Sequence, residues 1–142
     1  QHDRWFIASN DIMLAPGDLE QLAAAKTDEP TLTDSPPNWQ IFCVGEEVIR
    51  TVGLFDEAFH PAYFEDNDFQ ARVQHHGITI TRLQLGVHHD NSSTLRSNRH
   101  FQNQNSKTFK DNHTHFLKKM QEGDFSPGHW DLTRRRRNEW LR

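Results

Sequence analysis

Three groups of residues in this 142-residue chain have the types and spacing to do chemistry. The densest is Tyr63-Phe64-Glu65-Asp66-Asn67-Asp68-Phe69, three carboxylates within four positions. Val52-Gly53-Leu54-Phe55-Asp56-Glu57-Ala58-Phe59 precedes it, and Arg72 and Gly77 follow. Such a stretch is an aromatic-walled turn that delivers several acids to the start of a helix, where the helix dipole and the free N–H groups favour negative charge. Carboxylates held there can exchange protons with a substrate, or can simply cap the helix. The second group is Ser9-Asn10-Asp11, an acid closing an apolar run, which on its own makes a turn. The third is His88-His89-Asp90-Asn91-Ser92-Ser93-Thr94, a polar stretch whose imidazoles suit either metal ligation or plain exposure.

The elements that must position these groups follow from patterning. Trp5 to Ala8 reads as a strand, apolar on both faces and so expected inside a sheet. Pro16-Gly17-Asp18 opens a helix with Asp18 as N-cap and Leu19, Leu22, Ala23 and Ala25 as its apolar stripe. Residues 27–38, rich in Asp, Thr and Pro, form a loop. Trp39 to Val44 is a strand, and Glu46 to Val52 is a short helix closed by Gly53. Phe64 to His75 is a helix with Phe69 and Val73 on its inner face and Gly77 as its stop. Ile78 to Leu85 alternates as a strand, His88 to Thr94 is a loop, and a helix lies around Lys107 to Met120. Short strands alternating with helices predict an α/β architecture, with too few strands for a complete nucleotide-binding sheet.

Composition sets the bounds. One domain with a modest core is expected, because only 34% of the residues are hydrophobic, although ten Phe and four Trp argue against wholesale disorder. No apolar run approaches the length that crosses a bilayer, so no transmembrane segment is expected. The single cysteine, Cys43, sits between Phe42 and Val44 and reads as a buried thiol, which fits a reducing, cytoplasmic setting. Charge divides along the chain: 3 basic residues stand against 13 acidic ones through Asp66, and 13 against 7 after it. An acidic half followed by a basic half suits a site that brings a cation and a phosphorylated molecule together, and also suits ordinary surface variation. The run Arg134 to Arg137, between Trp130 and Trp140, is a solvated basic face or a contact for anionic partners.

The stretch from Gly53 to Gly77 resembles, over about 25 residues with its internal spacing intact, the segment of family 2 glycosyltransferases that runs G-x-F-D-E-x-F, F-E-D-x-D, Arg and Gly. The resemblance implies a GT-A fold, here its acceptor-side part: a mixed sheet with flanking helices over residues 1–97, then a polar, basic, partly helical tail over 98–142. It implies an inverting enzyme that moves a sugar from a nucleotide-diphospho-sugar donor to an acceptor hydroxyl on a glycan, protein, lipid or modified base. Asp66 falls on the family's catalytic base, while Glu65 would orient the acceptor and Asp68 and Arg72 would hold the local structure. Ser9-Asn10-Asp11 is similar to the family's metal site, with Ser where the first acid would stand, so Asp11 carries over as a ligand and Asn10 as a substrate contact. His89, with Ser92 and Thr94, matches the spacing H-x-x-S-x-T of a metal- or diphosphate-binding histidine, and His88 is the neighbouring candidate. A divalent cation, Mn²⁺ or Mg²⁺, is implied on the donor diphosphate. Asn112 to Lys119 also resembles the family's N-x-x-Y-F-x-x-K-W-G ending, with Met120 and Gln121 in place of Trp-Gly. The chain begins about where the metal-binding strand of that family starts, so an upstream nucleotide-binding half or self-association is expected to complete the sheet. The alternative is a non-catalytic module that keeps the fold to bind sugar or protein.

Overall fold

The computed structural model describes residues 4–90 and 98–126. Four strands form a mixed sheet: β1 (Arg4–Ala8), β3 (Thr31–Thr33), β4 (Ile41–Gly45) and β5 (Thr81–Leu83), in the order β1-β4-β3-β5. β4 pairs antiparallel with both β1 and β3, and β3 runs parallel to β5. Two further strands, β2 (Ile12–Met13) and β6 (His88–His89), make a separate antiparallel ribbon. The helices are α1 (Asp18–Ala23), α2 (Glu46–Val52), α3 (Glu65–His75) and α4 (Arg99–Glu122). The class is therefore α/β with a mixed sheet and flanking helices. No helix among the described residues is long and apolar enough to cross a membrane.

β4 explains the layering. All five of its residues are buried, because both faces of the sheet are covered. Phe42 and Val44 face the larger core with Leu32, Val48, Ile49, Val52, Phe69 and Val73, which come from β3, α2 and α3. Ile41 and Cys43 face the opposite side and pack with Leu22 of α1 and with Leu85. Cys43 is thus a buried thiol, as its neighbours predict.

Several expectations need correction. β1 is an edge strand among the described residues and not an interior one; Trp5 and Ile7 pack on the core, but Phe6 remains 43% exposed. The segment 27–38 is not all loop, for Thr31-Leu32-Thr33 forms β3, completely buried between β4 and β5. Three residues beside Pro30 are too short for alternation to register, and tertiary burial decides the outcome. Conversely, the strand expected over Ile78 to Leu85 pairs only at Thr81–Leu83. His88 and His89 are strand residues and not loop. On α1, Leu22 alone of the expected stripe is buried, and Asp18 is the first helical residue behind a left-handed Gly17.

Candidate functional site

The motif around α3 separates into structural and open acids. Asp68 is fully buried, with Oδ2 2.8 Å from Arg72 Nε and Oδ1 2.7 Å from Lys119 Nζ, an ion contact without hydrogen-bond alignment. The Arg72 guanidinium donates onward to the carbonyls of Val52 and Leu54, which ties α3 to the end of α2. Asp56 accepts from the Ala58 N–H at 3.0 Å and meets Lys119 Nζ at 3.1 Å. Asp56, Asp68 and Arg72 thus hold the loop between α2 and α3, as expected for Asp68 and Arg72, and Lys119 of α4 joins them. Sequence reasoning gave Lys119 no such weight. Its signal was spacing: Asn112, Phe116 and Lys119 fall on one helical face.

Asn112 does the complementary work seven residues earlier. Its amide nitrogen lies 3.4, 3.0 and 3.3 Å from the carbonyl oxygens of His60, Ala62 and Tyr63. That hold matters because Tyr63 and Phe64 have φ of 78° and 76°, the left-handed region that non-glycine residues rarely adopt. Such backbone costs about 1–3 kcal/mol per residue and persists only where the surroundings fix it. Phe64 is fixed by stacking on His113 and by Phe109 and Phe116.

The twisted turn sets Glu65 and Asp66 at the rim of a cavity of about 290 Å³. Its other walls come from the end of β1, including Ser9, from the Pro37–Gln40 turn and from Phe42, Phe55 and Tyr63. Asp66 Oδ1 accepts from the Asn67 N–H at 2.8 Å. Glu65 is half-buried, and burial pushes its carboxyl above the ordinary glutamate range, with the Asp66 charge adding to the rise; backbone N–H groups of Glu65 and Tyr63 pull the other way. Glu65 Oε2 and Gln40 Oε1 are both buried without a hydrogen-bond partner among the described residues. Each such orphaned acceptor costs about 1–3 kcal/mol unless something fills the need.

The other two groups meet at the β2–β6 ribbon. The register sets Ile12 opposite His89, which brings His89 Nε2 to 3.0 Å from Asp11 Oδ1 across 78 positions of sequence. Both side chains are largely buried, and His89 Nδ1 has no hydrogen-bond partner among the described residues. His88, its strand neighbour, pairs with Met13 and is exposed; alternation along a strand points it to the other face. Asn10 is exposed in the turn that leads to Asp11, and Ser92 and Thr94 lie outside the described residues. Asp18, buried at the start of α1, accepts from the Ala15 N–H at 2.8 Å and from the Gly86 N–H at 3.0 Å. One carboxylate therefore staples the exit of β2 to the entry of β6. Gly86 is obligatory at this junction, since a Cβ there would stand 2.6 Å from that of Ala15.

The 3.0 Å separation of Asp11 and His89 is that of a hydrogen bond, and two cis ligands about 2.1 Å from an octahedral ion would stand equally close. No third imidazole, thiolate or carboxylate among the described residues joins them in a metal-binding group. Asp11 follows Ser9 by two residues, which bounds their Cα separation at about 7 Å. The pair and the acidic cavity thus leave the same strand end. No protein-family model matches the chain, and no characterised protein or solved structure gives a significant match.

Proposed function

We propose that the chain is the acceptor-side part of an inverting, metal-dependent glycosyltransferase of the GT-A type. The observation that carries the reading is the junction at the end of β1. There, residues that begin and end this stretch of sequence, Asp11 and His89, meet at 3.0 Å. Two positions earlier, Ser9 shares a cavity with Glu65 and Asp66. In this reading an acceptor hydroxyl in the cavity attacks the anomeric carbon of a nucleotide-diphospho-sugar. The bond from that carbon to the diphosphate oxygen breaks, the nucleoside diphosphate leaves with the electron pair, and Asp66 takes the hydroxyl proton. Glu65 holds the hydroxyl in line. Asp11 and His89 would hold Mn²⁺ or Mg²⁺, which supplies charge neutralisation for the leaving diphosphate when bound. The outer edge of β1, which no described strand flanks, is the place for a nucleotide-binding half or a second copy to extend the sheet.

The test is release of nucleoside diphosphate by the full-length gene product with a panel of nucleotide sugars, Mn²⁺ and candidate acceptors. Asp66→Asn should lower turnover about 10²- to 10⁴-fold with donor affinity nearly intact. Unchanged turnover in that variant removes Asp66 as the base. Ser9 in place of an acid, with no group of three metal-ligating side chains among the described residues, also favours a second reading, a non-catalytic sugar-binding module. Sugar binding without any diphosphate release would establish it.

A further inference from the structure

The far edge of the sheet carries a groove that the transferase reading leaves unused. It lies between the end of α1, the loop that follows and β5. Its volume of about 430 Å³ falls within the roughly 300–1,000 Å³ range of small-molecule sites. The groove is separate from the cavity at Glu65 and Asp66. Leu83, in its wall, packs with Ile41 and Cys43, whereas Phe42 lines the other cavity from the opposite face of β4. β1, whose end lines that cavity, and β5 are opposite edges of the described sheet.

The loop wall is held at three points. Arg4 reaches over from β1 and donates to the carbonyls of Ala23 and Ala25. The Thr27 carbonyl lies so close on the end of β4 that a Cβ at Gly45 would clash with it. The Thr81 N–H donates to the Pro30 carbonyl at 2.9 Å, which fixes the residue after Glu29 onto β5. This rigid wall presents Glu29, whose side chain is only 9% exposed. Its ion-pair partner among the described residues is Lys26, with Nζ 3.0 Å from Oε1 on a side chain that is 73% exposed.

Those two exposures decide which partner can leave. The carboxylate is built into the wall, while the ammonium reaches it from solvent. A pair with one such exposed partner contributes little, so another ammonium can take the place of Lys26 without dismantling the fold. Lys26 also shows what chemistry the carboxylate accepts. Its ammonium is raised above the ordinary lysine range, first by the hydrogen bond to Glu29 and then by the charge of that carboxylate. Beside the acid the groove offers Ala24, Ala25 and Leu83, an apolar bed for the stem that carries an ammonium. Through Asp66 the chain has 3 basic residues against 13 acidic ones, a field that draws small cations and repels anions.

We propose that this groove binds a small primary alkylammonium ligand, its ammonium replacing that of Lys26 on Glu29 and its stem lying along Ala24, Ala25 and Leu83. The site does not rest on the transferase reading, and neither stands or falls with the other. A free aliphatic amine and a lysine side chain share this chemistry, and the probes below separate them.

The full chain, labelled with ¹⁵N-alanine, is titrated at pH 7 and constant ionic strength with pentane-1,5-diamine and with Nα-acetyl-lysine methylamide. Pentan-1-ol, which lacks the charge, and tetramethylammonium, which lacks the N–H groups, serve as controls. The amines should shift the Ala24 and Ala25 amide signals saturably, and the controls should not. Tighter binding of the diamine marks a free amine as the ligand, and tighter binding of the lysine derivative marks a side chain; either supports the site. Lys26→Ala removes the internal competitor and should tighten amine binding about three- to fivefold. Glu29→Gln should abolish it. Ala24→Leu fills the bed from an exposed position and leaves the ion pair intact, so its loss of binding tests the site even if Glu29→Gln folds poorly. The inference is overturned if neither amine shifts these signals, if a control shifts them equally, if Lys26→Ala binds no more tightly than wild type, or if Ala24→Leu binds as well as wild type.

Discussion

Lys119→Met in α4 is the sharpest test of how the site is held. Lys119 is 3% exposed and sits between Asp56, also 3% exposed, and fully buried Asp68. Methionine preserves the aliphatic stem and removes the positive charge that Lys119 shares between the two acids. Asp68 keeps Arg72 at 2.8 Å. Asp56 keeps the Ala58 N–H at 3.0 Å and has His115 Nε2 at 3.9 Å, too far for a hydrogen bond. Removing one partner from a buried, hydrogen-bonded ion pair costs about 3–5 kcal/mol. Against a total stability of roughly 5–15 kcal/mol, that is a large fraction. With a urea slope of about 2 kcal/mol/M, the unfolding midpoint should fall by about 2 M. Adding Asp56→Asn to Lys119→Met removes both charges of one contact, so the double variant should lose clearly less than the sum of the two single losses. Equilibrium urea unfolding followed by Trp fluorescence measures both. A loss below about 1 kcal/mol for Lys119→Met, or strict additivity in the double variant, would refute the argument that α4 is ion-locked onto the loop.

Two further perturbations probe the site from other sides. Asp18→Ala removes the acceptor for two backbone N–H groups and should cost about 3 kcal/mol in the same unfolding assay; it should also loosen the Asp11–His89 contact, seen as a shift of the His89 ring signals, and unchanged signals would show that the ribbon stands without its staple. For Glu65, the folded carboxyl holds its proton more tightly than the unfolded one, so its contribution to stability is full below the unfolded pKa and is lost as pH rises through the raised folded value. Glu65→Gln, neutral throughout, should therefore be more stable than wild type at pH 7–8, with the gap closing below about pH 4; a gap that is independent of pH would contradict the burial of this carboxyl.

Much of the site was legible because its signals are local. A glycine after Val52 closes α2, an apolar pair four apart marks the inner face of α3, and acids cluster at the start of α3. The roles of Asp68 and Arg72 are implied by the family resemblance, and their i,i+4 spacing on that helix is what lets them pair. Other features depend on neighbours remote in sequence. β3 exists because β4 and β5 cover three residues that have no pattern of their own. Asp18 looks like an N-cap until Gly86 arrives from 68 positions away to share its carboxylate. The cavity walls gather Ser9, Trp39 and Tyr63 from three separate segments, and no spacing rule links them. The place of β1 at the edge of the described sheet is not legible, because four apolar letters look interior, whereas Phe6 and Ala8 are exposed.

The central claim, that Asp11 and His89 hold a divalent cation for a diphosphate, is tested most directly by pulsed EPR of Mn²⁺ bound to the chain in the presence of inorganic pyrophosphate. The account predicts a directly bound imidazole nitrogen in wild type, its loss in His89→Ala, and an Mn²⁺ affinity weakened by about tenfold or more in Asp11→Asn. Equal Mn²⁺ affinity in wild type and both variants, with no nitrogen coupling, would reduce the pair to an ordinary hydrogen bond between two strands.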